Sequence, residues 1–326
     1  MAATYNTLLP RPGDKVSSPV DSIPAPSEES FTQTFGHHLP SVTYLSTSQG
    51  RIAYYAFTPA TTLNHSDTAS SPSRVLLLHG VQTPALGLVP LASSLRTSFP
   101  SAEFVLVDLW GHGLSSTPVA AHSPSLFHSL IDAVLSELQW TSCHLIGYSF
   151  GGSLAISYIA SSSQRAANIS SVSLVAPAGL WRPADLDEQR LYSSDFDTAE
   201  LHVLELLEGG PLVVPSDWQS RIRNGEIVAE KVREWQMQNH EGHMASVIAI
   251  VRDGGVFGQE EVYRQAVKTR TPIVAVLGET DDVVFEKDLN EVGVENVRVV
   301  KGAGHAVVRQ KAGEVAKHIG QFWKGL

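Results

Sequence analysis

Residues 146–152 read IGYSFGG, and this stretch decides the fold. It contains Gly-x-Ser-x-Gly with Ser149 at its centre. On its own that pattern is common. Its surroundings give it weight: SCHLIGYS (142–149) has the composition of a strand, and GGSLAISYIASSS (151–163) that of a helix built from small residues. A serine at a sharp strand-to-helix turn stands out from the sheet, and its backbone is strained there. The residues two places away must then be small, which Gly147 and Gly151 satisfy and Gly152 eases further. The helix behind the serine offers free N–H groups and positive potential to a developing oxyanion.

The same alternation extends in both directions. RVLLLHG (74–80) and EFVLVDLWGHG (103–113) are continuous apolar runs, as expected of parallel strands covered on both faces. TPALGLVPLASSLRTSF (83–99) keeps helical spacing despite Pro90, and SPSLFHSLIDAVLSELQW (123–140) is an amphipathic helix with Ser123 as N-cap and Pro124 at its first position. SVSLVAPAG (171–179), TPIVAVLGETDD (271–282) and ENVRVVKGAGH (295–305) read as further strands, and AVVRQKAGEVAKHIGQFWKG (306–325) as a closing helix. SVTYLSTSQGRIAYYAF (41–57) alternates about Gln49-Gly50 and predicts a hairpin. Repeated strand–helix alternation implies a mostly parallel sheet flanked by helices. From 181 to 255 the chain carries helical segments and no convincing strand, so it predicts a helical insert. Between 181 and 210 this insert holds eight acidic and two basic residues, the mark of a solvated outer face.

Composition narrows the function. The 326 residues carry a net charge of −10, which argues against nucleic acid or an anionic membrane surface as a partner. No apolar run reaches 18 residues, so no membrane insertion is expected. Cys143 is the single cysteine, which excludes an internal disulfide and fits a reducing compartment. The opening residues lack the basic and apolar regions of a signal peptide, and the expectation is a cytoplasmic chain. The sequons at Asn64 and Asn168 then have no role. Residues 1–30 are rich in Pro and Ser without period and predict a tail, disordered or packed on the surface.

A serine needs a base, and the base needs an orienting carboxylate. In sheets of this kind such groups meet at the carboxyl ends of the strands. Asp281 and Asp282 follow one predicted strand and His305 follows the next, giving the chain order Ser, Asp, His.

LLLHGV, VDLWGHGLS, HLIGYSFGG, LGETDDVV and GAGH together resemble the successive landmarks of the α/β-hydrolase superfamily, over about 74–180 and 270–326. The resemblance implies an α/β-hydrolase fold with a core at 31–180 and 256–326. It also implies a helical cap at 181–255, inserted after the sixth strand. It implies Ser149 as nucleophile, His305 as general base and Asp281 as its acid, with Asp282 the alternative and Asp185 or Asp187 more distant ones. It places the oxyanion hole at the backbone N–H groups of Val81 and Phe150. It implies a serine hydrolase that cleaves a small or medium apolar ester or lactone, with no cofactor and no metal. Other chemistry at the same triad stays open: carbon–carbon hydrolysis, thioester release, or a condensation or cyclisation. So does a ligand-binding receptor on the same scaffold. Arg182, Arg190, Arg221 and Arg223 are the candidates for holding an acidic substrate. Trp181, Tyr192, Trp218 and Trp235 lie in or near the insert and are candidates for lining a substrate pocket or for packing its helices. His79 and His112 read as structural hydrogen-bonding residues, and His240 with His243 as a pair lacking a third metal ligand. GHGLSS (111–116) lacks the helix a dinucleotide site requires. Oligomeric state is left open.

Overall fold

A computed structural model describes residues 5–15, 20–60, 72–210 and 212–326. The polar loop at 61–71, with the sequon at Asn64, lies outside the described residues. The strands are β1 (Ser22–Ile23), β2 (Thr43–Thr47), β3 (Gly50–Phe57), β4 (Arg74–Leu78), β5 (Glu103–Val107), β6 (Thr117–Pro118), β7 (Cys143–Tyr148), β8 (Ile169–Val175), β9 (Ile273–Gly278) and β10 (Val297–Val300). Eight of them form one sheet in the order β10-β9-β8-β7-β4-β5-β3-β2. From β5 to β10 every pairing is parallel, and the β2–β3 hairpin joins antiparallel at the edge.

The helices preceding β8 are α1 (Glu28–Phe35), α2 (Val89–Ser98), α3 (Pro124–Glu137), α4 (Phe150–Ser161) and α5 (Ser163–Ala167). Between β8 and β9 come α6 (Glu188–Leu191), α7 (Phe196–Glu208), α8 (Trp218–Arg223), α9 (Ala229–Asn239), α10 (His243–Asp253) and α11 (Glu260–Lys268), with no strand among the described residues. Then follow α12 (Glu286–Glu291), α13 (Val307–Gln310) and α14 (Ala312–Trp323).

The apolar strand runs are explained by burial on both faces. Leu76, Leu78, Val105, Val107 and Leu145 point into one core, against α3, α4 and α11. Val75, Leu77, Phe104 and Leu106 point into the other, against α2 and α14. Period-two alternation therefore leaves no polar position.

Of the two forms expected for the N-terminal tail, the described residues take the packed one. Leu9 and Ile23 are buried with α6, α7 and α10. The Arg252 guanidinium donates to the Leu9 carbonyl at 2.9 Å, Arg11 pairs with Asp253 at 2.9 Å, and Tyr5 N donates to the Glu241 carbonyl. Helix α1 follows, capped by the Ser27 hydroxyl. Its Phe31 and Phe35 pack edge-on against Trp235 of α9, at ring separations of 5.3 and 5.8 Å. The polar composition of 1–30 hid a few apolar anchors that reach the helices between β8 and β9.

Candidate active site

Strands β4 and β7 are neighbours, yet the chain runs from β4 to β5 on one side and returns to β7 on the other. The order reverses between them, and ligands of open α/β sheets bind at such a switch point. The loop after β4 and the turn after β7 therefore meet. Ser149 sits at that turn with φ 52° and ψ −117°, a sparsely populated conformation. A Cβ on Gly147 would lie 2.2 Å from the Gly151 carbonyl oxygen, and one on Gly151 would lie 2.2 Å from the Leu78 carbonyl oxygen. Both glycines are required by close backbone approach. The Ser149 carbonyl accepts from the N–H groups of Gly152 and Ala178, at 2.8 and 2.9 Å, which holds the strained turn.

His305 follows β10 and Asp281 follows β9. Ser149 Oγ lies 3.0 Å from His305 Nε2, and His305 Nδ1 lies 3.2 Å from each Asp281 carboxylate oxygen. A carboxylate only accepts, so Nδ1 carries the proton and Nε2 is free to accept from the serine hydroxyl. Asp281 is buried and also accepts from Val283 N at 2.9 Å, which fixes its orientation. Asp282 is exposed and lines the cavity without bonding to His305. Asp187 instead caps α6, where it accepts from Gln189 N and Arg190 N, and Asp185 is exposed.

The N–H groups of Val81 and Phe150 face no protein acceptor among the described residues. Both residues line one cavity with Ser149 and His305, of about 260 Å³. The loop that carries Val81 is held at the next residue. Gln82 has φ 63°; its N–H donates to His112 Nε2 at 3.0 Å, and its carbonyl accepts from Gln236 Nε2 at 2.6 Å. Gln236, fully buried on α9, also accepts from Gly113 N at 2.8 Å. Sequence reasoning missed Gln82 and Gln236. One polar residue in a helix of unknown orientation carries no pattern, and only the packing of α9 reveals its partners.

Below this loop lies a buried polar layer. His79 Nδ1 hydrogen-bonds the Gly80 carbonyl and its Nε2 accepts from Leu109 N. His112 and His243 stack edge to face at 4.8 Å. His240 and His243 bond the Ser115 and Gly111 carbonyls. Burial lowers the pKa of His79 and His240 to about 4 and that of His243 to about 3, and it holds His112 well below its usual value. All four are neutral near pH 7. Asp108, also missed, ties the loops after β4 and β5 together by accepting from Tyr55 Oη, Ala85 N and Leu114 N. Burial raises its pKa to about 6 against those three bonds.

The aromatic residues named from sequence do not converge. Trp181 lines the cavity and packs on Phe257 at 5.4 Å. Trp235 is buried against α1, Trp218 lies under Lys231 at the surface, and Tyr192 lies under Arg11 with its hydroxyl on the Arg252 carbonyl. Of the two roles left open for these rings, packing and surface contacts occupy these three. The four candidate arginines have other partners. Arg182 pairs with Glu260, Arg190 with Glu205 and Arg221 with Glu226, while Arg223 bonds the Gln219 carbonyl. None of the four lines the cavity at Ser149; Arg233 and Arg309 do.

No helix of the described residues is long and apolar enough to cross a membrane. No curated protein matches the chain in sequence. Among solved structures it is similar to a hydrolase from Pseudomonas aeruginosa (TM-score 0.61, 18% identity, 86% of this chain and 98% of the other). It is also similar to an enol-lactonase from Burkholderia xenovorans (0.62, 15%, 86% and 99%) and a carboxylesterase from Bacillus subtilis (0.63, 15%, 91% and 97%). At such identities the likeness speaks for the fold. The model of the alpha/beta hydrolase family matches residues 75–318. With three quarters of its length inside that match, the chain belongs to the alpha/beta hydrolase family of enzymes.

Proposed function

We propose that this hydrolase cleaves a carboxylic ester or lactone of a small substrate through Ser149, His305 and Asp281. The observation that carries the reading is the hydrogen-bonded line from Ser149 Oγ through His305 to Asp281, set beside two unengaged N–H groups. His305 Nε2 takes the hydroxyl proton as Oγ attacks the carbonyl carbon. The carbonyl oxygen becomes an oxyanion held by Val81 N–H and Phe150 N–H. The C–O bond to the leaving group breaks, and the leaving alkoxide takes the proton from His305. Water, deprotonated by His305, then releases the acid from Ser149. Asp281 orients His305 and stabilises its charged form. Each oxyanion donor is worth about 10²–10³ in rate. The helices between β8 and β9 act as a cap: Leu206 and Leu207 of α7 and Arg233 of α9 supply one wall of the cavity.

Labelling with a fluorophosphonate, read by intact mass, tests the nucleophile. One adduct on the wild-type chain and none on Ser149→Ala is the expected result. With an ester substrate the same substitution lowers kcat by about 10⁶. An adduct that persists on a folded Ser149→Ala protein overturns the assignment.

A further inference from the structure

Most arginines of this chain are neutralised by a carboxylate: Arg165 by Asp132, Arg190 by Glu205, Arg221 by Glu226. Arg309 is not, among the described residues. Its Nη1 is buried and has no hydrogen-bond partner. The guanidinium lies 5.8 Å from the ring centre of Tyr148, the residue before the nucleophile, and Arg309 lines the cavity that holds Ser149 and His305. A guanidinium keeps its charge at any working pH, and a buried charged N–H without an acceptor is destabilising.

Gln82 and Arg233 line the same cavity, and Gln82 hydrogen-bonds to the Glu208 carboxylate. Arg233 is already neutralised, because its Nη1 rests on the same Glu208. Across Arg309 lies a second cavity lined by Glu226 and Glu230. Glu226 is bound to Arg221, and Glu230 lies 3.9 Å from Arg233. Asp282, on the first cavity, is exposed. Arg309 is thus the uncompensated cation beside the reacting atoms.

We propose that the substrate carries, besides its scissile ester or lactone, a free carboxylate that is seated on Arg309. The inference rests on the hydrolase reading for the identity of the reacting bond, and on the unpaired Arg309 guanidinium for the anion. A carboxylate accepts at both oxygens and suits a guanidinium fork.

The test separates the two. In a Ser149→Ala background, which cannot turn over, binding of monomethyl adipate and methyl hexanoate is measured by titration calorimetry. These ligands share the methyl ester and the six-carbon chain and differ in the terminal carboxylate. The monoacid should bind at least about tenfold tighter, with the gap narrowing as salt rises. Arg309→Gln should close the gap and Arg309→Lys keep part of it, with circular dichroism confirming that each variant is folded. In the active protein the ratio of kcat/KM for mono-p-nitrophenyl adipate over p-nitrophenyl hexanoate should fall about tenfold on Arg309→Gln, chiefly through KM. Equal affinity for the two ligands, or a preference that survives Arg309→Gln, overturns the anion site. Should Ser149 resist the fluorophosphonate while the monoacid preference holds, the hydrolase reading fails and the anion site stands.

Discussion

At Ser149 a strained backbone and a free carboxylate–histidine line meet in one side chain. The conformation at φ 52° costs about 1–3 kcal/mol, and the Gly152, Ala178 and Val175 hydrogen bonds to the Ser149 backbone offset it. Asp281 and Asp282 are adjacent in sequence and unlike in setting, the first buried on His305, the second exposed. Asp281→Asn should leave the fold intact and lower kcat by about 10⁴, because an amide can hold the wrong tautomer of His305. Asp282→Asn should change kcat by less than about tenfold, a difference that steady-state kinetics on one ester resolves. A larger loss from Asp282 than from Asp281 would reverse the assignment. These residues were legible in sequence because each stands just past a strand end, where topology dictates the meeting place. Arg309 was not legible, since its meaning lies in the acceptors it lacks.

Among the elements, α9 carries more than its composition suggests. Gln236 spans from the Gln82 carbonyl to the Gly113 N–H, and so joins a helix between β8 and β9 to the loops after β4 and β5. Gln236→Leu keeps the volume and leaves two buried backbone groups unpaired, at about 1–3 kcal/mol each. Urea unfolding should register that loss. Release of the Gln82 peptide should also swing the neighbouring Val81 N–H, lowering kcat by about tenfold or more with a smaller change in KM. Unchanged kcat in a folded variant would confine Gln236 to stability. The strands of the main sheet and the hairpin were readable from apolar runs and turns, whereas the strand order came only with the structure. The orientation of α6–α10 was not readable either, because it depends on anchors such as Leu9 and Ile23, in a stretch whose average composition reads as unstructured, and on Phe31 and Phe35 just after it. Trp235 illustrates the point: the ring counted for a pocket is taken up by two phenylalanines about 200 positions earlier in the chain.

For the whole molecule, the buried histidine layer sets an acid limit. In the unfolded chain these residues titrate near 6.5, and in the fold His79 and His240 do so at about 4 and His243 at about 3. The unfolded state therefore binds more protons through this window, and stability is full above about pH 6.5 and falls as the pH drops toward 4. Each such histidine withdraws about 2 kcal/mol by pH 5. Asp108, whose pKa is raised to about 6, works in the opposite sense, binding more protons when folded between about 4 and 6. One carboxyl does not balance the layer. The melting temperature should drop by about 10 °C or more from pH 7 to pH 5 in calorimetry. A flat profile would mean that the layer takes up protons without loss.

Residues 5–14 reach Glu241, Arg252 and Asp253, contacts spanning up to 243 positions. On the ribosome this strap emerges long before its docking helix exists. Until then Leu9 stays in water, and α10 emerges with the seat already waiting to be filled. The sheet can begin to assemble strand by strand as synthesis proceeds, but the closure over α10 joins stretches 243 positions apart. That closure is a late, long-loop event, and the nascent chain is the form most exposed to a chaperone or a protease before it occurs.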